Sequence, residues 1–144
     1  MKSLESVSKF FYKPAAALFL VRLVTGYIFL EHGLGKVTNL TMPIGMMQHM
    51  LGSEWGWVGI FIAWLEVVGG AALMLGILTR VFAVAFMIQM IVAVFLTGFA
   101  RGLQAHDLEI ILALNSAALA LAGGGACRLF HMFEHGSKAL LKAE

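Results

Sequence analysis

Residues 55–78 form a 24-residue apolar stretch in which Glu66 is the only charged side chain. As an α-helix this stretch is roughly 36 Å long, enough to cross a hydrocarbon core of about 30 Å. The carboxyl group of Glu66 then lies near the bilayer midplane, where an ionised carboxylate costs at least about 2.5–3.5 kcal/mol. Glu66 must therefore be paired, protonated or hydrated, which makes it the first candidate for a functional residue.

The composition of the whole chain is typical of an integral membrane protein. Of its 144 residues, 60% are hydrophobic and 12% charged, with a mean hydropathy of +0.89, whereas about 25% of the residues in soluble domains are charged. The net charge of +2 does not indicate a nucleic-acid partner. The single cysteine, Cys127, excludes an intrachain disulfide and a Cys-x-x-Cys redox pair.

We predict an all-α fold, an integral membrane four-helix bundle with antiparallel helices. The predicted spans are residues 14–34, 55–78, 81–100 and 108–127, within a membrane domain of residues 14–128. Short links after the second and third spans require antiparallel neighbours. The longer, methionine-rich link after the first span predicts a short interfacial helix. Residues 1–13 are predicted to form an amphipathic segment, and residues 129–144 a tail.

The distribution of lysine and arginine predicts the orientation of the spans. Seven of these residues fall on one side of the predicted topology and two on the other. The seven are Lys2, Lys9, Lys13, Arg80, Arg128, Lys138 and Lys142, and the two are Lys36 and Arg101. We therefore expect both termini in the cytoplasm, with Trp55 and Trp57 at the outer membrane interface.

Arg22 lies inside the first span, at a predicted depth similar to that of Glu66 in the second span. Because an arginine–carboxylate pair stabilises both charges at that depth, we expect Arg22 and Glu66 to interact directly or through water. Such a pair either fixes the register of two helices or belongs to a functional site. Gln89 and Asn115, inside the third and fourth spans, are each expected to form a hydrogen bond across helices.

Four more ionisable side chains are predicted at the outer ends of the first and fourth spans. They are Glu31, His32, His106 and Glu109. Carboxylates and imidazoles that lead inward from one surface can carry protons, or bind the head of a quinone, whose carbonyls need donors and whose reduction needs protons. The alternative is a solvated rim of helix ends.

Two metal-binding alternatives remain open at this point. His32 and His106, one from each of two spans at matched depth, are a weak pattern for a haem. Met46, His49 and Met50 share one face of the predicted interfacial helix, and thioether with imidazole suits Cu(I). Methionine is also a common flexible filler on such helices, which requires no metal.

The segment from Glu66 to Arg80 resembles the E-x-x-G-G-x-x-L-x-L-G-x-x-T-R signature of the DoxX family of small four-helix membrane proteins. His106 and Glu109 are similar to the polar start of the family's last span. The first span also matches the family, at Arg22, Gly26, Phe29, Gly33 and Lys36. The resemblance covers residues 15–129, and the family's usual S-L-D after the glycine-rich end is replaced by Cys127-Arg128-Leu129.

The resemblance implies a multi-pass protein of a bacterial or archaeal plasma membrane, similar to the DoxD-type subunit of thiosulfate:quinone oxidoreductase. The leading hypothesis is a quinone-facing membrane subunit of an oxidoreductase complex. Because the chain has no cysteine pair and no flavin or nucleotide motif, its electrons would come from a partner subunit. The alternatives are a non-catalytic membrane scaffold or assembly factor, and a small-solute or copper-handling protein, for which four helices require a homo-oligomer.

Overall fold

The computed structural model describes residues 14–97 and 106–125, and within them it contains helices and turns but no strand. The helices are α1 (Pro14–Thr38), α2 (Thr41–Leu51), α3 (Gly56–Leu75), α4 (Thr79–Thr97) and α5 (Asp107–Ala122). A 3₁₀ turn, Ser53–Trp55, leads into α3. The all-α prediction is confirmed. The predictions for residues 1–13, Arg101, Cys127 and residues 129–144 lie outside the described residues.

Among residues 14–97 and 106–125, three segments are long and apolar enough to cross a membrane, namely Pro14–Thr38, Ser53–Leu75 and Thr79–Thr97. α5 stands at the place of the predicted fourth span. It has 16 residues and is about 24 Å long, shorter than a hydrocarbon core of about 30 Å. It ends where Gly123 takes a φ of 81°, a backbone conformation that suits glycine. At the other end of the chain, α1 continues four residues beyond its predicted end.

α1 and α3 run in opposite directions, and glycines bring their backbones into close contact. A Cβ atom on Gly26 would lie 2.8 Å from the carbonyl oxygen of Gly70, and one on Gly33 would lie 2.6 Å from the amide nitrogen of Val67. Small residues at these positions are what allow two membrane helices to pack this tightly. The two glycines fix the register of α1 along α3.

α2 continues the path of α1 along the same side of α3. Gly59 of α3 packs directly against the backbone of Pro43, and Gly56 packs against the side chain of Gln48. Pro43 and Met47 are buried in this contact. The predicted helix in the link is therefore present, and it packs onto the first half of α3.

A left-handed glycine forms the sharp turn between α3 and α4. Gly76 caps α3 with φ 74° and ψ 26°, and its N–H donates to the carbonyl oxygens of Ala72 and Leu73. The conformation has little steric cost for glycine and a larger one for other residues. Thr79 begins α4 three residues later, so α3 and α4 are neighbours.

The core lies at mid-height between α1, α3, α4 and α5. It is formed by Phe29, Leu73, Phe86, Met90 and Leu112. The rings of Phe29 and Phe86 stack with centroids 3.7 Å apart and planes 7° apart. This core separates two regions, which we call the Trp55 end, where α3 begins, and the Thr79 end, where α4 begins.

Candidate functional site: a polar cluster at an apolar cavity

Glu66 is bound by side chains from two other helices. Its carboxylate, on α3, is almost completely buried, with 1% of the residue exposed. Lys36 Nζ, from α1, donates to both carboxylate oxygens, at 2.6 Å and 2.7 Å. Gln89 Nε2, from α4, donates to Oε1. These three residues form a charge-compensated group, the Glu66 cluster, which joins α1, α3 and α4.

The local packing explains why Lys36 reaches Glu66. Gly33 lies directly against Glu66, because a Cβ on Gly33 would be 2.8 Å from the Cβ of Glu66. Lys36 follows one turn later on the same face of α1, and helical side chains point back toward the preceding turn. Its side chain is 30% exposed, compared with 2% for that of Glu66. Lys36 is therefore the member of the cluster that an incoming molecule can contact.

Arg22 is not the partner of Glu66. Its Nη1 donates to the carbonyl oxygen of Gly124 at 2.7 Å, and its guanidinium lies over the ring of Phe19. The residue beside Glu66 is Lys36, 14 residues further along α1, which is about 21 Å along the helix axis. The predicted Arg22–Glu66 pair is therefore wrong. The prediction placed Arg22 and Glu66 at the same depth, each in the middle of its span. The glycine contacts between α1 and α3 instead bring Lys36 to the level of Glu66.

Arg22 belongs instead to a separate polar group at the Thr79 end. Gly124 lies close to both Arg22 Nη1 and Thr79 Oγ1, which a Cβ on this glycine would meet at 3.0 Å and 2.8 Å. Arg22 is completely buried, and Thr79 is 6% exposed. The hydrogen bond from Arg22 holds the segment after α5 against α1, so this group ties the first and last described helices together.

A cavity of about 630 Å³ lies at the Trp55 end, next to the Glu66 cluster. This volume is within the range of about 300–1,000 Å³ that is typical of small-molecule sites. All five helices contribute to the walls, which are mostly apolar. The ionisable or amide side chains that line it are His32, Lys36, Glu66, Gln89 and Glu109. A few convergent polar groups in an apolar cavity are the usual form of a ligand site.

Two of the four predicted outer side chains line the cavity. His32 Nδ1 lies 2.8 Å from the carbonyl oxygen of Ile28, and since a carbonyl only accepts, Nδ1 is the donor in this contact. Glu109 lines the same cavity from α5. Glu31 is exposed on α1 and is not one of the lining residues. His106 is buried, with Nδ1 3.5 Å from Thr97 Oγ1.

The described residues neither support nor contradict the copper and haem alternatives. Met46 and Met50 line the large cavity, while His49 and Met50 line a smaller one of about 360 Å³. No group of three His, Cys, Asp or Glu side chains within residues 14–97 and 106–125 has the arrangement of a metal site. His32 faces the large cavity, whereas His106 is not among its lining residues. Copper and haem stay predictions.

The prediction that Gln89 forms a cross-helix hydrogen bond is confirmed, and its partner is Glu66. Lys36 was assigned to the outer link, so its role at Glu66 was missed. The signal for it was present, because Lys36 continues the helical stripe of Gly26, Phe29 and Gly33. A basic residue on that stripe lies on the face of the helix that the glycines occupy, and the stripe holds two such residues, Arg22 and Lys36.

The structure gives a physical role to most of the E-x-x-G-G-x-x-L-x-L-G-x-x-T-R positions. Glu66 forms the polar cluster, Gly69 accommodates the ring of Phe86, and Gly70 allows contact with the α1 backbone. Leu73 is a core residue, Gly76 makes the turn, and Thr79 lies beside Gly124. The motif therefore combines the packing of α3 with the site.

Comparison with known proteins agrees with this pattern. The DoxX family model matches residues 17–98, which contain the whole Glu66 cluster. A Bacillus subtilis (strain 168) protein named "Putative oxidoreductase CatD" is 31% identical over 106 residues, which cover 72% of this chain and 77% of that protein. No solved structure matches the chain. On the family match and this relative, the chain belongs to the DoxX family of membrane proteins.

Proposed function

We propose that this chain is a membrane subunit of a quinone-linked oxidoreductase complex, and that its cavity holds the quinone head beside the Glu66 cluster. The observation that carries the proposal is a part-buried Lys–Glu–Gln cluster, centred on the almost completely buried Glu66, on a mostly apolar cavity of about 630 Å³. The oxidoreductase name of the Bacillus subtilis relative supports a redox setting.

The free hydrogen-bonding capacity of the cluster fits a quinone head. Lys36 has three N–H donors, and two of them are directed at Glu66, which leaves one for a quinone carbonyl. Gln89 Oε1 is buried and has no hydrogen-bond partner among the described residues. Because an unpaired buried acceptor is costly, a turn of the Gln89 amide that brings Oε1 to the cavity would let it accept the O–H of the reduced, hydroxyl form.

The residues around the head can supply protons but not electrons. Reduction of a quinone to a quinol takes two electrons and two protons. His32 and Glu109 line the cavity with Glu66, and each side chain can hold and release a proton. The one cysteine provides no dithiol, so the electrons come from a partner subunit of the complex.

The membrane arrangement is part of the proposal. Four antiparallel spans, with α5 as the fourth, place both termini in the cytoplasm and the Trp55 end toward the outer face of the plasma membrane. The contact of Lys36 with Glu66 supports this orientation. It removes Lys36 from the outer surface, so Arg101 is the only basic residue left of the two first assigned to that side.

Glu66→Gln should reduce the quinone that is bound to the purified complex by about tenfold, equivalent to about 1.4 kcal/mol. The substitution keeps the size of the side chain but removes the charge that orients Lys36. Glu31→Gln is the matched control, because Glu31 is exposed on α1 and does not line the cavity. The measurements are extracted quinone per protein and quinone reductase turnover.

Equal quinone content and turnover in the two variants would contradict the proposal. If Glu66→Gln lowered only the amount of assembled complex, with the turnover per complex unchanged, the chain would be a scaffold or assembly factor. The Glu31→Gln complex is expected to match the wild type in both measurements.

A further inference from the structure

We propose that the ligand reaches the cavity from the bilayer, through an opening between α3 and α4, and that its tail stays in this opening. The ligand class is then a long-tailed membrane amphiphile rather than a water-soluble small molecule. The identity of the head rests on the proposed function, whereas the opening is inferred from the helices alone.

α3 and α4 are in contact in one half of their length and separate in the other. Gly69 packs against the ring of Phe86, and Glu66 bonds to Gln89 one turn closer to the Trp55 end. From this level toward the Trp55 end, residues of both helices line the cavity. They are Val58, Phe61, Ile62 and Leu65 of α3, and Val92, Ala93 and Leu96 of α4, with Ile88 next to Gln89 at the level of the contact.

Four of these cavity-lining side chains are exposed. Phe61 is 60% exposed, Ile88 53%, Val92 46% and Leu96 37%. Such large exposed fractions are expected where a cavity opens to the exterior rather than where it is enclosed. All four side chains are apolar and lie on helices that are long and apolar enough to cross a membrane. At this position the exterior is hydrocarbon, so the opening faces lipid.

The distances suit a head at the Glu66 cluster and a tail in the opening. Phe61 precedes Glu66 by five residues, which is roughly 7.5 Å along the helix axis, comparable to the width of one substituted ring. His32 and Glu109, from α1 and α5, line other parts of the wall. In this proposal, protons pass His32 and Glu109, whereas the ligand enters between α3 and α4.

A tail-length series tests this inference. Phe61→Trp and Val92→Trp narrow the opening, and Val81→Trp, at an exposed position near the start of α4 that does not line the cavity, is the control. In lipid nanodiscs, association of a quinone with a long isoprenoid tail should slow by about tenfold or more in the first two variants. Association of the same head without a tail should change less than twofold.

Equal slowing of both quinones, or of neither, would overturn the lateral opening while leaving the proposed function intact. If wild-type protein bound neither quinone, the proposed function would fail, and a second probe would still test the opening. A long-chain alcohol with a diazirine near its hydroxyl end should label cavity-lining residues of α3 and α4 in wild-type protein, and much less in Phe61→Trp. Labelling restricted to outward-facing side chains such as Leu121 would refute the opening between α3 and α4.

Discussion

Lys36→Met should lower the free energy of unfolding by about 3 kcal/mol, because it leaves the buried Glu66 carboxylate without its cation. Removing one partner of a buried ion pair costs about 3–5 kcal/mol. The lower end applies here, since the lysine side chain is 30% exposed and Gln89 still donates to the carboxylate. Reversible unfolding in mixed micelles, followed by helical circular dichroism, measures the effect.

The double variant Lys36→Met/Glu66→Met should recover most of this loss, because two apolar side chains leave no unpaired charge. The double variant should not bind quinone, even though its stability is recovered. Stability of the fold and quinone binding by the site are then shown to be separate properties. If the double variant were as unstable as the sum of the two single variants, the contact between Lys36 and Glu66 would not be an energetic pair.

Gly33→Ala should destabilise the protein by about 1–3 kcal/mol, the usual range for overpacking. The added Cβ would lie 2.6 Å from the amide nitrogen of Val67 and 2.8 Å from the Cβ of Glu66. Neither atom is at the end of a flexible side chain, so α1 as a whole must move away from α3. That movement also displaces Lys36 from Glu66, so bound quinone should fall together with stability.

Gly35→Ala is the matched control for this prediction, on the same helix two residues away. A Cβ on Gly35 would meet nothing within 4 Å, and alanine in a helix is favoured over glycine by about 0.5–1 kcal/mol. Gly35→Ala should therefore be neutral or slightly stabilising in the same unfolding assay. Similar effects of the two substitutions would contradict the close contact between α1 and α3.

The sequence predicts the helices well, and the reason is physical. Long apolar segments with few charges leave the backbone no other means of satisfying its hydrogen bonds in lipid, so the approximate bounds of α1, α3 and α4 follow directly. α5 ends at Ala122, before the predicted end of the fourth span at residue 127, and the glycine-rich segment begins at the next residue. The need of Glu66 for a partner is equally predictable, because a lone carboxylate at that depth is costly.

The identity of that partner was not predictable from depth alone. Arg22 and Lys36 are both basic residues on the glycine stripe of α1, about 21 Å apart along the helix axis. The choice between them depends on how far α1 slides along α3, which is set by the contacts of Gly26 and Gly33 with α3. The register of α1 against α3 is set by tertiary packing. Assuming spans of equal length therefore gives the wrong register.

The cavity was also beyond prediction, although several of its residues were identified. His32, Glu66 and Glu109 were candidates from their chemistry, but Glu31, next to His32, points away from the cavity. Which neighbour faces inward depends on the rotation of α1, and the cavity walls depend on α2 packing along α3. Neither follows from hydropathy.

Photolabelling with an azidoquinone that carries its azide on the head tests the central claim most directly. In the intact complex, mass spectrometry should find the label on cavity residues beside the Glu66 cluster, such as Ile62 and Gln89. The label should be displaced by excess unmodified quinone, reduced by about tenfold in Glu66→Gln and retained in Glu31→Gln. Displaceable label beside Arg22 at the Thr79 end, or label that Glu66→Gln leaves unchanged, would contradict a quinone site at Glu66.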